Sequence, residues 1–214
     1  MNNHETITHI ETATLGMGCF WSPEALFGSL PGVLRTRVGY AGGTTSHPTY
    51  RKMGDHSEVV EVDFDADLIS YGELLTVFWN NHNPININGY KGRQYQSLLL
   101  YRNEEQEETI HRMKKRMELD KGSLETEIVP YTEFHIAEPR HQKYYVKRFP
   151  NAIGKLSTLY PSEEELMNAT LAARLNGLAK GFANLEHIQR EIHQWPISTD
   201  NQAEFIQLIR QIRW

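Results

Sequence analysis

Two side chains in this sequence have the means to do covalent and proton-transfer chemistry. Cys19 is the only cysteine among 214 residues. It stands in Gly16-Met17-Gly18-Cys19-Phe20-Trp21, ahead of Ser22-Pro23-Glu24. That order predicts a strand, a sharp turn and a helix start, with Ser22 as cap and Pro23 at the first helical position. Unpaired N–H groups at a helix start favour an anion, so the Cys19 thiol is expected to titrate below its usual value of about 8.5 and to act as a nucleophile. Glu24 suits that helix end but opposes a nearby thiolate. The competing reading is a buried structural cysteine; the flanking glycines and Trp21 favour an open turn. The second side chain is Glu58. Along residues 57–64, Val60, Val62 and Phe64 alternate with Glu61 and Asp63, the period of a strand. Parity puts Glu58 on the apolar face, where desolvation raises a carboxyl pKa and makes it a proton donor at neutral pH. The alternative is that Glu58, at the strand end, turns to water.

Other chemistries lack their residues. The ten histidines come without cysteine partners or a His-Glu-x-x-His pair, so no metal site is expected. No Gly-Lys-Ser/Thr phosphate loop occurs, and Trp21 stands where a dinucleotide fingerprint needs its third glycine. A Cys/His hydrolase would need His141 or His56 beside Cys19. Acidic residues outnumber basic ones, 27 to 22, for a net charge of −5, which gives no electrostatic case for nucleic acid. One cysteine suits a reducing compartment, residues 1–10 lack the pattern of a signal peptide, and no apolar run approaches a membrane span. The expectation is a soluble, cytoplasmic protein.

The elements that must position Cys19 and Glu58 follow from periodicity. Strands are expected at 12–17, 33–40, 57–64, 94–101 and 124–131. Helices are expected at 23–30, at 69–80 with Ser70 as cap, and at 103–119. Residues 41–55 and 81–92 form long polar loops, a length often tied to function. A polar-aromatic cluster runs from Glu138 to Tyr145. Beyond Pro150 the chain turns helical, at 163–180, 185–194 and 202–212, with Leu185, Ile188, Ile192 and Trp195 in one apolar stripe. This divides the chain into a core of residues 1–150 and a helical extension of residues 151–214, packed on the core or on a second copy as a homodimer.

Several blocks, in order, carry a family resemblance. Gly18-Cys19-Phe20-Trp21 resembles the signature of the A-type peptide-methionine (S)-sulfoxide reductases. Gly39-Tyr40-Ala41-Gly42-Gly43, His47-Pro48-Thr49-Tyr50 and His56-Ser57-Glu58-Val59-Val60 look like that family's next blocks. His82-Asn83-Pro84, Gln94-Tyr95-Gln96-Ser97, Ala137-Glu138 and His141-Gln142 complete the match across residues 10–149.

The resemblance implies an α+β fold: a two-layer sheet-and-helix core of split β-α-β, ferredoxin-like character with a C-terminal α-helical extension. It implies that Cys19 attacks the sulfoxide sulfur and becomes a sulfenic acid. Phe20 and Trp21 would hold the methyl group, Tyr50 and Tyr95 the sulfoxide oxygen, and Glu58 would supply the proton. Tyr90 and His141 are implied to face the substrate. The substrate is methionine sulfoxide, in proteins or free. No bound cofactor is expected, only an external thiol reductant: thioredoxin, glutaredoxin with glutathione, or dithiothreitol in vitro. Three features depart from the family. Tyr90 stands where relatives often have an acid that holds the substrate backbone, and the stretch between Tyr50 and His56 is short. No cysteine follows Cys19, so the chain has no resolving thiol. The alternative function is a non-catalytic module of the same fold that binds oxidised methionine or a protein partner.

Overall fold

The computed structural model of the chain describes residues 9–84 and 92–214. Strand β1 (Ile10–Met17) runs into helix α1 (Trp21–Gly28), and β2 (Val33–Ala41) returns through a long loop to β3 (Ser57–Asp65). Helix α2 (Tyr71–Asn80) precedes β4 (Ser97–Tyr101), and α3 (Glu104–Lys121) precedes the short strands β5 (Glu127–Pro130) and β6 (Phe134–Ile136). The sheet order is β5-β4-β1-β3-β2-β6, with β4 and β5 parallel and the other pairs antiparallel. Its inner order, β4-β1-β3-β2 with α1 and α2 as the crossovers, is the expected split β-α-β arrangement.

Periodicity explains the core. Ala13 and Leu15 of β1 meet Val60, Val62 and Phe64 of β3 under Leu74, Leu75, Phe78 and Trp79 of α2, all fully buried. Ser70 caps α2 in a reciprocal box with Glu73, as its position predicts. The alternation along β3 fails in one respect. Glu61 and Asp63, expected at the surface, are buried. β3 lies between β1 and β2, and arginines cover its second face: Arg37 and Arg102 pair with Glu61, and Arg35 with Asp63. Buried carboxylates need such partners.

Two expected elements change. Gln94 and Tyr95 lie in a 3₁₀ turn, Gly92–Tyr95, rather than in β4. That turn is pinned to β3, because Ser57 Oγ donates to the Arg93 carbonyl at 2.6 Å. The single helix expected over 163–180 is two, α5 (Glu163–Asn168) and α6 (Thr170–Lys180), preceded by α4 (Pro150–Leu156). Ala169 is extended between them, and Thr170 Oγ1 ties the start of α6 to the Leu34 carbonyl of β2 at 2.6 Å. α7 (Leu185–Ile192) and α8 (Thr199–Arg210) follow, and the stripe from Leu185 to Trp195 packs into the extension's own apolar cluster. Among the described residues no helix is long and apolar enough to cross a membrane.

The extension grips the helix that begins at the cysteine turn. α6 crosses α1 so closely that a Cβ on Gly177 would lie 2.6 Å from Ser29 Cβ and 2.9 Å from the Ala25 carbonyl. Arg174, 1% exposed, donates to the carbonyls of Gly28 at the end of α1 and Val33 at the start of β2, each at 2.8 Å. Its remaining donors meet Glu191 of α7 at 2.6 to 2.9 Å. Arg174→Met is expected to strip the buried ion pair from Glu191 and the side-chain donor from both carbonyls, at a cost of about 3–5 kcal/mol. Urea unfolding measures it; a loss below about 1 kcal/mol, the value of a surface pair, would show that Arg174 does not clamp these elements.

Candidate active site

The cysteine turn is built by backbone geometry. Gly18 takes φ 85°, which carries the chain from β1 into α1 and which side chains other than glycine rarely tolerate. The helix opens two residues earlier than its sequence suggests. Phe20 occupies the cap position without a side-chain hydrogen bond, and Ser22 lies inside the first turn, where its hydroxyl meets the Tyr145 hydroxyl at 2.8 Å. Ser22 is therefore no cap. The Phe20 N–H is satisfied from across the fold instead, donating to Glu58 Oε2 at 3.1 Å.

Glu58 is fully buried, as parity predicts. Its other oxygen accepts from Gln94 Nε2 at 2.8 Å. The two donors hold the carboxyl in a fixed orientation toward the cysteine turn.

Cys19 is exposed. Its thiol nevertheless titrates above its ordinary value, which corrects the expectation of a lowered one. Desolvation by the surrounding protein is the largest cause and the Glu58 charge adds to it; the Trp21 N–H at the helix start opposes both and loses. The same carboxyl that can donate a proton therefore suppresses the thiolate while it is ionised.

Tyr95 joins this pair. Burial, then the charge of Glu58, then Tyr50, Cys19 and a hydrogen bond to Tyr50 hold its hydroxyl protonated well beyond the usual phenol range. The structure thus brings Cys19, Glu58, Tyr50 and Tyr95 to one place. Phe20, 1% exposed, packs with Val38, Tyr40, Met53 and Ala137 beside them, with Trp21 and Tyr50 at the margin. The Trp21 ring stacks on Tyr144 at 3.7 Å and its indole N–H donates to His141 Nδ1 at 3.2 Å. His141 is held below its ordinary pKa, first by burial and then by Arg140, against the pull of Glu138. A neutral ring can accept that indole proton, so His141 orients Trp21. His56 is committed elsewhere, accepting from the Gly43 N–H at 3.2 Å and meeting the Thr45 carbonyl at 2.8 Å. Tyr90 lies outside the described residues.

Several residues of the site carry no role in the sequence reading. Glu138 accepts from the Tyr40 hydroxyl at 2.7 Å and from the Tyr50 N–H at 3.2 Å, and so fixes the Tyr50 loop. Burial alone would raise it, but its backbone and those two donors hold it below the carboxylate norm. Its membership in the 138–145 cluster was the available signal. Glu24 and Lys143, both fully buried, pair at 2.8 Å beneath α1, and Lys143 also donates to the Thr36 carbonyl at 2.6 Å. Burial lowers the Lys143 pKa against the opposing attraction of Glu24. No sequence signal links two residues 119 positions apart. Among the described residues no cluster of three potential metal ligands occurs.

Comparison with known proteins completes the picture. The sequence model of the family described as peptide methionine sulfoxide reductase matches residues 11–172. A Drosophila melanogaster peptide methionine sulfoxide reductase is 43% identical over 190 residues, covering 88% of this chain and 76% of its own. Peptide methionine sulfoxide reductase A5 of Oryza sativa subsp. japonica is 44% identical over 204 residues, covering 89% and 79%. In structure, reduced Mxr1 from Saccharomyces cerevisiae aligns with a TM-score of 0.62 at 27% identity, covering 65% of this chain and 86% of that one. Methionine sulfoxide reductase A of Corynebacterium diphtheriae aligns with a TM-score of 0.57 at 31% identity, covering 67% and 77%.

Proposed function

This chain belongs to the peptide methionine sulfoxide reductase family, an oxidoreductase family that reduces methionine sulfoxide with thiols, and from that premise we propose how its own residues divide the reaction. The Cys19 thiolate attacks the sulfoxide sulfur. Glu58 gives its proton to the sulfoxide oxygen, which Tyr50 and Tyr95 polarise by hydrogen bonding. The oxygen ends on Cys19 as a sulfenic acid, the sulfide leaves as methionine, and the two electrons gained by methionine come from the Cys19 sulfur. Phe20 and Trp21 enclose the methyl group, with His141 orienting Trp21. The observation that carries this reading is the convergence of one exposed thiol, one fully buried carboxyl and the phenols of Tyr50 and Tyr95 at a single turn.

The electrostatics favour one reactive form. An ionised Glu58 raises the Cys19 thiol, so moving the proton from Cys19 to Glu58 produces nucleophile and acid together without changing the proton count. Residues 1–150 form the catalytic unit in this reading and residues 151–214 a helical extension that buttresses α1. With one cysteine in the chain, the sulfenic acid is reduced by an external thiol, and the protein works in a reducing, cytoplasmic setting.

The test is a reductant-free mixing experiment with each sulfoxide stereoisomer. The (S) form should release about one equivalent of methionine per chain and leave one added oxygen on Cys19 by intact mass. Release from the (R) form alone, or an unmodified Cys19 after release, would defeat the reading.

A further inference from the structure

One wall of the sulfoxide pocket is not held by residues 1–150 alone. Trp21, which encloses the methyl group in the reading above, is backed by Tyr144, whose ring stacks on it at 3.7 Å with the planes parallel. The next residues of the two segments are joined as well, Ser22 to Tyr145 through their hydroxyls at 2.8 Å. Where Trp21 stands therefore depends on where the backbone of residues 143–146 runs.

That backbone is irregular. Lys143 takes φ 55°, a conformation that residues with a side chain seldom adopt and that persists only where the surroundings enforce it. Two elements do so. From α1, Glu24 accepts from the Lys143 N–H and from its ammonium, each at 2.8 Å. From α6 comes Asn176, which is fully buried and lies past residue 172, where the match to the family ends. Its Oδ1 accepts from the Tyr145 N–H at 2.9 Å and from the Val146 N–H at 3.1 Å. Its Nδ2 is turned to Glu24 Oε2, 3.5 Å away. Val146 is fully buried, and a buried N–H that loses its acceptor drives the chain to rearrange until it finds another. α6 is fixed in this place, because Gly177 lets it approach α1 and Arg174 binds the end of α1.

We propose that Asn176 is a positioning residue for the methyl-binding wall. Through the backbone of Tyr145 and Val146 it fixes Tyr144 against Trp21, and the helical extension thereby sets how strictly the site selects the alkyl group on the sulfoxide sulfur. The inference rests on the sulfoxide reading above. The bonds of Asn176 go to Tyr145, Val146 and Glu24, none of which is a reacting group, so its effect falls on pocket width and not on the thiol. A wall held in place rejects an ethyl group by overpacking, and one methylene is worth about 10–200-fold in such a pocket. A wall free to shift gives way to the larger group.

The experiment lets methionine (S)-sulfoxide and ethionine (S)-sulfoxide compete for one sample of the full chain, with dithiothreitol as reductant, and measures the ratio of the two sulfides formed. Both compounds meet the same folded molecules, so the ratio does not depend on how much of a variant is folded. The wild-type protein should favour the methyl compound by about tenfold or more. Asn176→Ala should reduce that preference to about threefold or less. Tyr145→Phe removes only the hydroxyl bond to Ser22 and should lower the ratio in the same direction; it reads the wall even where Asn176→Ala does not fold. Ile209→Ala opens a cavity in the extension's own apolar cluster, and should lower the urea midpoint while the ratio stays at the wild-type value. An unchanged ratio in Asn176→Ala or Tyr145→Phe, or an equal fall in Ile209→Ala, would overturn the positioning role alone. A wild-type protein that reduces both compounds equally would overturn it together with the methyl pocket, and one that reduces neither would overturn it together with the sulfoxide reading.

Discussion

Cys19→Ser should release no methionine from methionine sulfoxide above background, a fall on the order of 10⁴-fold or more. A serine hydroxyl is a weak nucleophile at neutral pH unless a base takes its proton. The two histidines that sequence allows for that task are occupied. His141 accepts the Trp21 indole proton, and His56 holds Gly43 and Thr45. Sulfur's polarizability and its capacity to carry the transferred oxygen are lost as well. The fold should survive, because Cys19 is exposed and the turn depends on Gly18 and on the Phe20 N–H bond to Glu58. Methionine release and the urea midpoint, measured together, decide the matter: turnover by a folded Cys19→Ser protein would remove the nucleophile from the mechanism.

Glu58→Gln should slow the same step by about 10²–10⁴-fold, the usual worth of a general acid. The amide keeps the shape of the carboxyl and an oxygen for the Phe20 N–H, while Gln94 can turn its own amide to match. What disappears is the transferable proton. Tyr95 cannot replace it, since its hydroxyl is held protonated beyond the ordinary phenol range. In the wild-type protein the rate should fall as pH rises through the Glu58 titration, because the proton donor is then lost; in the variant that limb should vanish. A second readout moves the opposite way. The Glu58 charge is one cause that lifts the Cys19 thiol, after burial, so its removal should shift iodoacetamide labelling of the resting protein toward lower pH. A resting thiol that becomes more reactive while sulfoxide reduction becomes slower is not what simple damage to the site produces. Wild-type pH profiles for both reactions in Glu58→Gln would remove Glu58 as the acid.

Local rules make much of the fold legible in the sequence. The alternation around Val60, Val62 and Phe64 marked β3, Ser70 marked the start of α2, and the single glycine-flanked cysteine marked the turn that the rest of the site faces. Glu58 was readable because strand parity is a strict two-residue rule, and Tyr50 and Tyr95 because whole blocks of residues resembled one family. Where a second strand or helix sets the outcome, local reading missed. Glu61 and Asp63 read as surface residues, since no pattern along β3 reveals the arginines of β2 and of the end of β4 that cover them. The break at Ala169 depends on a bond from Thr170 to Leu34, in a strand far back in the chain.

The sequence by itself determined which chemistry this protein carries: one thiol, a carboxyl on an apolar strand face, no metal-binding pattern and no second cysteine. Only the tertiary structure decided how that thiol is tuned and held. A helix start ought to lower a cysteine pKa, and sequence shows the helix start; desolvation and the Glu58 charge, which win, exist only once β3 and the turn have come together. In sequence the extension reads as helices packed on the core or on a second copy; only the structure shows that Arg174 reaches the last turn of α1 and Lys180 reaches Tyr145 beside its first. Periodicity describes what one element does along its own axis. Charges, burial and hydrogen bonds act through space, so the reactivity of Cys19 was decided by residues that the order of the chain keeps apart.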